Sequence, residues 1–221
     1  MLTVSADRVL VESRLVAGGF CCPVAGCGGV LRGHGWGRRR QVCMGTGSRL
    51  SDRVWVRPRR ARCGSCKVSQ VLLDERCLSR RMDGLEVIGV AVLARAGGES
   101  LNRVACLVGR PLSTVRGWLA SAVVACVGAP VLFGVVGERF GVDPGGVRPV
   151  AAHGATGFVQ WCCWLVAGLG GDPVRWLVGA AMVCGGRVLQ ASWWQHKQYL
   201  FLHGFALPGT SVGPARLESG P

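Results

Sequence analysis

The segment CPVAGC at residues 22–27 is followed by CGSC at residues 63–66, so the sequence contains two close pairs of cysteines. Each pair can sit on a tight turn and offer two thiolates to one metal ion, and four thiolates satisfy the tetrahedral coordination of zinc. The second pair has the spacing of a standard zinc knuckle, and the longer first pair still lies within the spacing of zinc ligands. The pattern predicts a structural zinc site formed by Cys22, Cys27, Cys63 and Cys66.

Other sets of ligands are compatible with the sequence. Cys21 could replace Cys22, although Cys22 precedes a proline and fits the entry to a knuckle better. His34 and Cys43 are further substitutes, and free thiols without a metal are the remaining alternative. Four protein ligands leave no open coordination position, so a catalytic zinc is not expected.

The residues between the two cysteine pairs are strongly basic. They include ten arginines and a single acid, Asp52. The whole chain has 26 basic and 12 acidic residues, which gives a net charge of +14. Such a charge favours contact with a polyanion, and double-stranded DNA is the expected partner. Among the arginines between the two cysteine pairs, those expected to contact DNA are Arg38, Arg39, Arg40, Arg57, Arg59 and Arg60.

The N-terminal segment MLTVSADRVLVE lacks the basic segment followed by an apolar one that marks a secretory signal. We therefore expect reduced thiols and a cytoplasmic, nucleoid-associated protein. Residues 117–137 and 150–171 are uncharged and long enough to span a bilayer. Glycines interrupt both stretches, so a membrane span is not expected, and a membrane-associated protein with a basic cytosolic ribbon is kept as an alternative.

Local patterns predict strands in the first part of the chain and helices after it. Residues 53–57 (RVWVR) alternate polar and apolar side chains, as a half-exposed strand does, and residues 68–73 are a suitable partner strand. A helical period begins at Asp83, which with Glu86 resembles a capping box. Ser100 is expected to cap the next helix.

The second and third predicted helices fit a helix-turn-helix. Gly109 permits a tight turn, and the apolar side chains of Val115 and Trp118 would hold the later helix against the earlier one. Ser113 is expected to cap this later helix, which in such motifs enters the major groove, where Arg116 could read a guanine edge. The candidate DNA contacts in this region are Arg110, Ser113, Thr114 and Arg116. An ordinary helical hairpin with a solvated arginine is the alternative.

The segments LRGHGWGRRR (residues 31–40), RPRRARCGSC (57–66) and GRPLSTVRGWL (109–119) resemble the N-terminal region of insertion-sequence transposases. The resemblance is closest to an actinobacterial family of uncharacterised proteins that joins a zinc ribbon to a helix-turn-helix, and it covers about residues 20–125. Many transposases and regulators share these motifs, so the resemblance implies DNA binding and does not specify a reaction. The longer first knuckle departs from the pattern.

The acidic residues argue against an active transposase. Transposases of this kind hold two metal ions with three carboxylates. The acids that follow the predicted helix-turn-helix are Glu138, Asp143, Asp172 and Glu218, and they lie around a Gly/Pro-rich linker, in a later turn and near the end of the sequence. We therefore expect a protein that is not an enzyme, with a truncated or split transposase as the alternative.

Together these patterns predict an α+β protein. We expect a zinc-ribbon domain at residues 1–78, a helix-turn-helix domain at 82–128, an apolar helical region at 145–203 and a disordered tail at 204–221. The expected function is sequence-preferring DNA binding, by a transposase-derived protein or a transcriptional regulator. Tryptophans in the apolar region are typical of a core or of a homodimer interface.

Overall fold

The computed structural model describes residues 1–24, 26–45, 52–139, 154–168 and 189, and these residues have the expected α+β fold. The described strands are β1 (Leu2–Val4), β2 (Leu31–Trp36), β3 (Arg40–Cys43), β4 (Arg53–Val56), β5 (Arg59–Cys63) and β6 (Ser69–Asp74). The described helices are α1 (Arg8–Val16), α2 (Leu85–Ala96), α3 (Leu101–Val108), α4 (Leu112–Arg139) and α5 (Gly154–Gly168).

Four strands form the larger sheet, in the order β1-β6-β5-β2. β1 is parallel to β6, whereas β5 is antiparallel to both of its neighbours. Along β5, Ala61 and Cys63 are buried while Arg60 and Arg62 are exposed, because successive side chains of a strand point to opposite faces. One face of this sheet therefore carries the core, and the other carries arginine.

The strands predicted at residues 53–57 and 68–73 exist, but they do not pair with each other. β4 pairs with β3 in a separate two-stranded sheet, and β6 lies between β1 and β5. Pro58 lies between β4 and β5, where the chain passes from one sheet to the other. A proline has no N–H for a strand ladder, so it suits this boundary.

The N-terminal segment contributes to the core of the four-stranded sheet, a role that the sequence patterns did not reveal. The Asp7 carboxylate caps α1 by accepting hydrogen bonds from backbone N–H groups of the first turn. Val11 and Leu15 of α1 are then buried in one cluster with Leu31 of β2 and Leu72 of β6. α1 therefore covers the inner face of the larger sheet.

A second core is helical and confirms the predicted burial of Val115 and Trp118. Val104 and Val108 of α3 are buried together with Val115 and Trp118 of α4. Phe158 of α5 is fully buried in the same cluster. These side chains fix the crossing of α3 and α4 at the predicted turn.

The predicted helix starts are right in one case and wrong in two. The Ser100 side chain caps α3 by accepting a hydrogen bond from the N–H of Arg103. Asp83 does not cap α2, because Gly84 occupies that position and makes no side-chain cap. Ser113 lies inside α4, which begins one residue earlier at Leu112.

The helix α4 continues to Arg139, through Gly128 and Pro130. A proline removes one backbone hydrogen bond and bends a helix, and here the helical backbone continues past it. Among the helices of the described residues, none is long and apolar enough to cross a membrane. Within the predicted apolar helical region at 145–203 the structure describes residues 154–168 and 189, and the predicted tail at 204–221 lies outside the described residues.

Gly109 is expected to be sensitive to substitution, because it ends α3 with φ 62° and ψ 43°. This left-handed conformation costs a residue with a side chain about 1–2 kcal/mol. Gly109→Ala should therefore lower the free energy of unfolding by about that amount, as measured by denaturant unfolding. The matched control is Gly117→Ala within α4, where an added Cβ would meet no atom within 4 Å. The free energy of unfolding of that variant should rise by up to about 1 kcal/mol, because alanine favours a helix interior more than glycine does. Equal destabilisation of both variants would contradict the prediction.

Candidate metal centre and basic surface

Two turns bring the cysteine pairs together. The first turn precedes β2, where the N–H of Cys22 donates to the carbonyl of Gly29 at 2.6 Å and the N–H of Cys27 donates to that of Val24 at 3.1 Å. The second turn connects β5 to β6, and there the N–H of Cys63 donates to the carbonyl of Val68 at 3.0 Å. Each turn thus presents its two side chains toward the other turn.

The four sulfurs form one compact group, as the spacing predicted. Sγ of Cys22 lies 3.6 Å from that of Cys66, and Sγ of Cys27 lies 3.6 Å from that of Cys63. All four sulfurs lie within 4.8 Å of one another. Tetrahedral thiolates at about 2.3 Å from an ion would be separated by about 3.8 Å, so this group can hold one metal ion.

Gly29 allows the two turns to approach this closely. A Cβ on Gly29 would lie 2.6 Å from the Cys63 sulfur and 2.6 Å from the Ser65 hydroxyl. Real Cβ atoms do not come so close to other atoms, so a larger residue would push the second turn away. The glycine is therefore required for the geometry of the site.

The thiols of this group differ in pKa. Burial raises the pKa of Cys22 to about 12. Burial also acts to raise the pKa of Cys63, but hydrogen bonds from the backbone N–H groups of Cys66 and Ser65 and from the thiols of Cys27 and Cys66 together outweigh it and lower that pKa to about 6. Because a metal binds thiolates, loading the site would release the proton from Cys22.

The alternative ligands lie outside this group. Cys21 is exposed, and His34 is exposed on β2. Cys43 at the end of β3 accepts a hydrogen bond from Nη2 of Arg110 at 2.8 Å. The structure thus selects Cys22 over Cys21 within the first pair.

The arginines predicted to contact DNA fall into two groups. Arg38, Arg39, Arg57 and Arg60 are at least partly open to solvent. Arg40 is partly buried, and its guanidinium donates to the carbonyls of Leu78 and Arg81, both at 3.4 Å. Arg59 forms an ion pair of 2.6 Å with Glu12 on α1. Arg40 and Arg59 therefore stabilise the fold through internal partners.

Arg110, another of the predicted DNA contacts, also has internal partners. Its Nε donates to the Asp83 carboxylate at 2.6 Å, and the two side chains are only 10% and 16% exposed. The guanidinium also donates to the sulfur of Cys43 at 2.8 Å. Arg110 thus joins the turn between α3 and α4 to the end of β3.

The candidate contacts on α4 are arranged on its free side. Arg116 is exposed, and Ser113 and Thr114 are at least partly open to solvent. Val115 and Trp118, on the opposite side, are buried in the helical core. The first turns of α4 therefore present a polar face with one cation.

Sequence reasoning missed a pair of arginines that face each other across the sheet. Arg32 of β2 is the register partner of Arg62 of β5, and both are exposed. The polar and apolar side chains alternate along residues 60–63, and this pattern could have indicated an arginine face on β5. The pairing with Arg32 depends on the register of β2, which the sequence does not reveal.

Comparison with known protein families, with curated proteins and with solved structures finds no match to this chain. The inference of function therefore depends on the geometry of the chain's own residues.

The metal content of two neighbouring cysteine variants tests the candidate centre. Cys22→Ser should lose the bound metal and the stability that depends on it, because it removes one of four ligands. Cys21→Ser should keep one metal ion per chain, because Cys21 is exposed and outside the group. Elemental analysis of the purified variants, together with thermal unfolding, measures both effects. Metal loss from Cys21→Ser alone would contradict this ligand set.

Proposed function

We propose that this chain is a DNA-binding protein whose basic ribbon is held by a structural zinc ion. Four thiolates in one group are typical of zinc or iron–sulfur sites. Sulfurs this close together, with no further acid or histidine in the group among the described residues, suit a single zinc ion with a closed shell of ligands. The role of zinc would be to hold the two turns, and with them the β2–β5 pair that carries the arginines.

The observation that supports DNA binding best is the opposed pair Arg32 and Arg62. Like charges directly opposite each other on neighbouring strands destabilise a sheet. Within the part of the chain that the structure describes, neither guanidinium forms an ion pair. A phosphate placed between them would remove the repulsion. Arg60 lies on the same face of β5 and would extend the contact along the backbone.

The free face of α4 supports a second contact with DNA. Ser113 and Arg116 lie on this face near the start of the helix. Helix N-termini and small hydroxyl side chains bind phosphates, and arginine reads guanine in the major groove. We propose that the ribbon supplies most of the affinity and that Arg116 supplies sequence preference. The chain would act as a transposase-derived protein or a transcriptional regulator.

Replacing the opposed arginines tests the role of the ribbon. The double variant Arg32→Ala, Arg62→Ala should bind all DNA sequences more weakly. The slope of log affinity against log salt should become shallower by about 0.9 for each phosphate that the variant no longer neutralises. Fluorescence anisotropy with duplex DNA between about 50 and 200 mM salt measures both quantities.

The double variant loses the repulsion between the two guanidinium groups and also the 2.9 Å hydrogen bond from Nε of Arg62 to the carbonyl of Lys67. Its zinc content and circular dichroism are therefore compared with those of the parent to show that it is folded. Arg95→Ala is the matched control, since Arg95 is at the end of α2 and outside the ribbon. Its salt slope should equal that of the parent. An equal decrease of the slope in both variants would show only a general effect of net charge.

Arg116→Ala tests the role of α4. The variant should lose about 1–3 kcal/mol of binding free energy on a preferred site selected from random DNA, and little binding free energy on other sequences. Replacing the exposed Arg38 and Arg39 together should instead weaken binding to all sequences. If Arg116→Ala weakened preferred and random DNA equally, α4 would not read the groove, and α3 and α4 would be an ordinary helical hairpin.

A further inference from the structure

A shallow cleft lies between α1, the end of β2 and β4. Two tryptophans line it, Trp36 of β2 and Trp55 of β4, and they are 40% and 48% exposed. The buried residues Val4, Val11, Val56 and Leu72 supply the apolar part of the lining. The cleft thus combines an apolar lining with two large aromatic rings that remain open to solvent.

Three arginines lie beside the ring of Trp36, and one lies beside the ring of Trp55. The guanidinium carbons of Arg59, Arg8 and Arg57 lie 4.9, 5.9 and 6.0 Å from the centroid of the Trp36 ring. That of Arg39 lies 4.5 Å from the centroid of the Trp55 ring. Cation–π contacts of this kind attract a guanidinium to the face of a ring. They therefore hold the guanidinium groups beside the two tryptophans.

The cleft has an excess of positive charge. Arg59 is paired with Glu12, and Arg76 is paired with Asp74 at 2.6 Å. Two further cations of the lining, Arg8 and Arg57, form no ion pair within the described residues. A ligand that fits this cleft therefore has a flat aromatic part for the tryptophans and negative charge for Arg8 and Arg57.

We propose that this cleft binds unpaired nucleobases of a nucleic-acid strand, which stack on Trp36 and Trp55, while Arg8 and Arg57 contact the flanking phosphates. The proposal rests on the proposed function and adds to the duplex contacts a site for unpaired bases. A base inside a duplex has both faces covered by its neighbours, so it cannot stack on a protein ring unless it leaves the stack. Exposed aromatic rings beside arginines are the usual means of binding single strands.

The test uses the full chain loaded with zinc and three labelled probes of the same length. The first is a single strand of mixed sequence, the second is the same strand with its central bases replaced by abasic sites, and the third is the matching duplex. The abasic strand keeps every phosphate and lacks only the rings. The parent protein should bind the intact strand roughly 5- to 150-fold more tightly than the abasic strand, the equivalent of about 1–3 kcal/mol for one stacked base.

The variants Trp36→Ala and Trp55→Ala should abolish this difference in affinity, because each lowers mainly the affinity for the intact strand. Their affinity for the abasic strand should change much less, because the arginine charges that contact the phosphates are retained. Trp36→Phe retains an aromatic face and should keep part of the preference. Leu107→Ala is the control, since Leu107 is 48% exposed on α3 and does not line the cleft. Circular dichroism and zinc content confirm that each variant is folded.

The possible outcomes separate this proposal from the proposed function. If the parent binds the duplex in a salt-dependent way but does not distinguish intact from abasic strands, the stacking proposal is overturned and DNA binding stands. If the parent binds none of the three probes, both are overturned. If thymidine monophosphate binds more tightly than the strand does, the cleft belongs to a free nucleotide and the proposal is likewise overturned.

Discussion

The meeting of four thiols at one point is the constraint on which the ribbon depends. Cys22 and Cys27 precede β2, and Cys63 ends β5, so their meeting fixes where those strands begin to pair. In the observed register Leu31 lies opposite Cys63, and both are buried. Within the thiol group the pKa of Cys63 is lowered to about 6 while that of Cys22 is raised to about 12. At neutral pH these pKa values keep Cys22 protonated while Cys63 is a thiolate. A bound metal ion would stabilise all four groups as thiolates, so this difference in protonation would disappear.

The ribbon and the helices are joined by a polar contact. Asp83 forms a backbone bridge with Cys43 at the end of β3, and its carboxylate holds Arg110 from the turn after α3. Because both side chains of this ion pair are largely buried, removing one partner would leave an uncompensated charge at a cost of about 3–5 kcal/mol. The pair therefore sets where the turn after α3 lies relative to the ribbon, and with it the direction in which the free face of α4 points.

The arginines of the ribbon have three different roles. Arg40 and Arg59 are bound to internal acceptors and stabilise the fold. Arg32 and Arg62 repel each other on the outer sheet face, which suits a phosphate backbone. Arg57 lies beside the Trp36 ring at the edge of a cleft. The high net charge is thus divided between internal contacts and two separate surfaces, so the number of arginines alone does not indicate where the free charges lie.

The sequence by itself determined that the two cysteine pairs meet and where the helices bury apolar side chains, whereas the choice of Cys22 over Cys21 came from the structure. Cysteine spacing is a local property that specifies turns, and the positions of Val104, Val108 and Trp118 follow from the period of a helix. Only the tertiary structure decided which polar groups remain free. Arg59 meets Glu12 across 47 positions of sequence, and Arg110 meets Asp83 across 27. Such pairs, like the opposition of two arginines or the placement of two tryptophans in one cleft, depend on strand register and chain path, which no local pattern records.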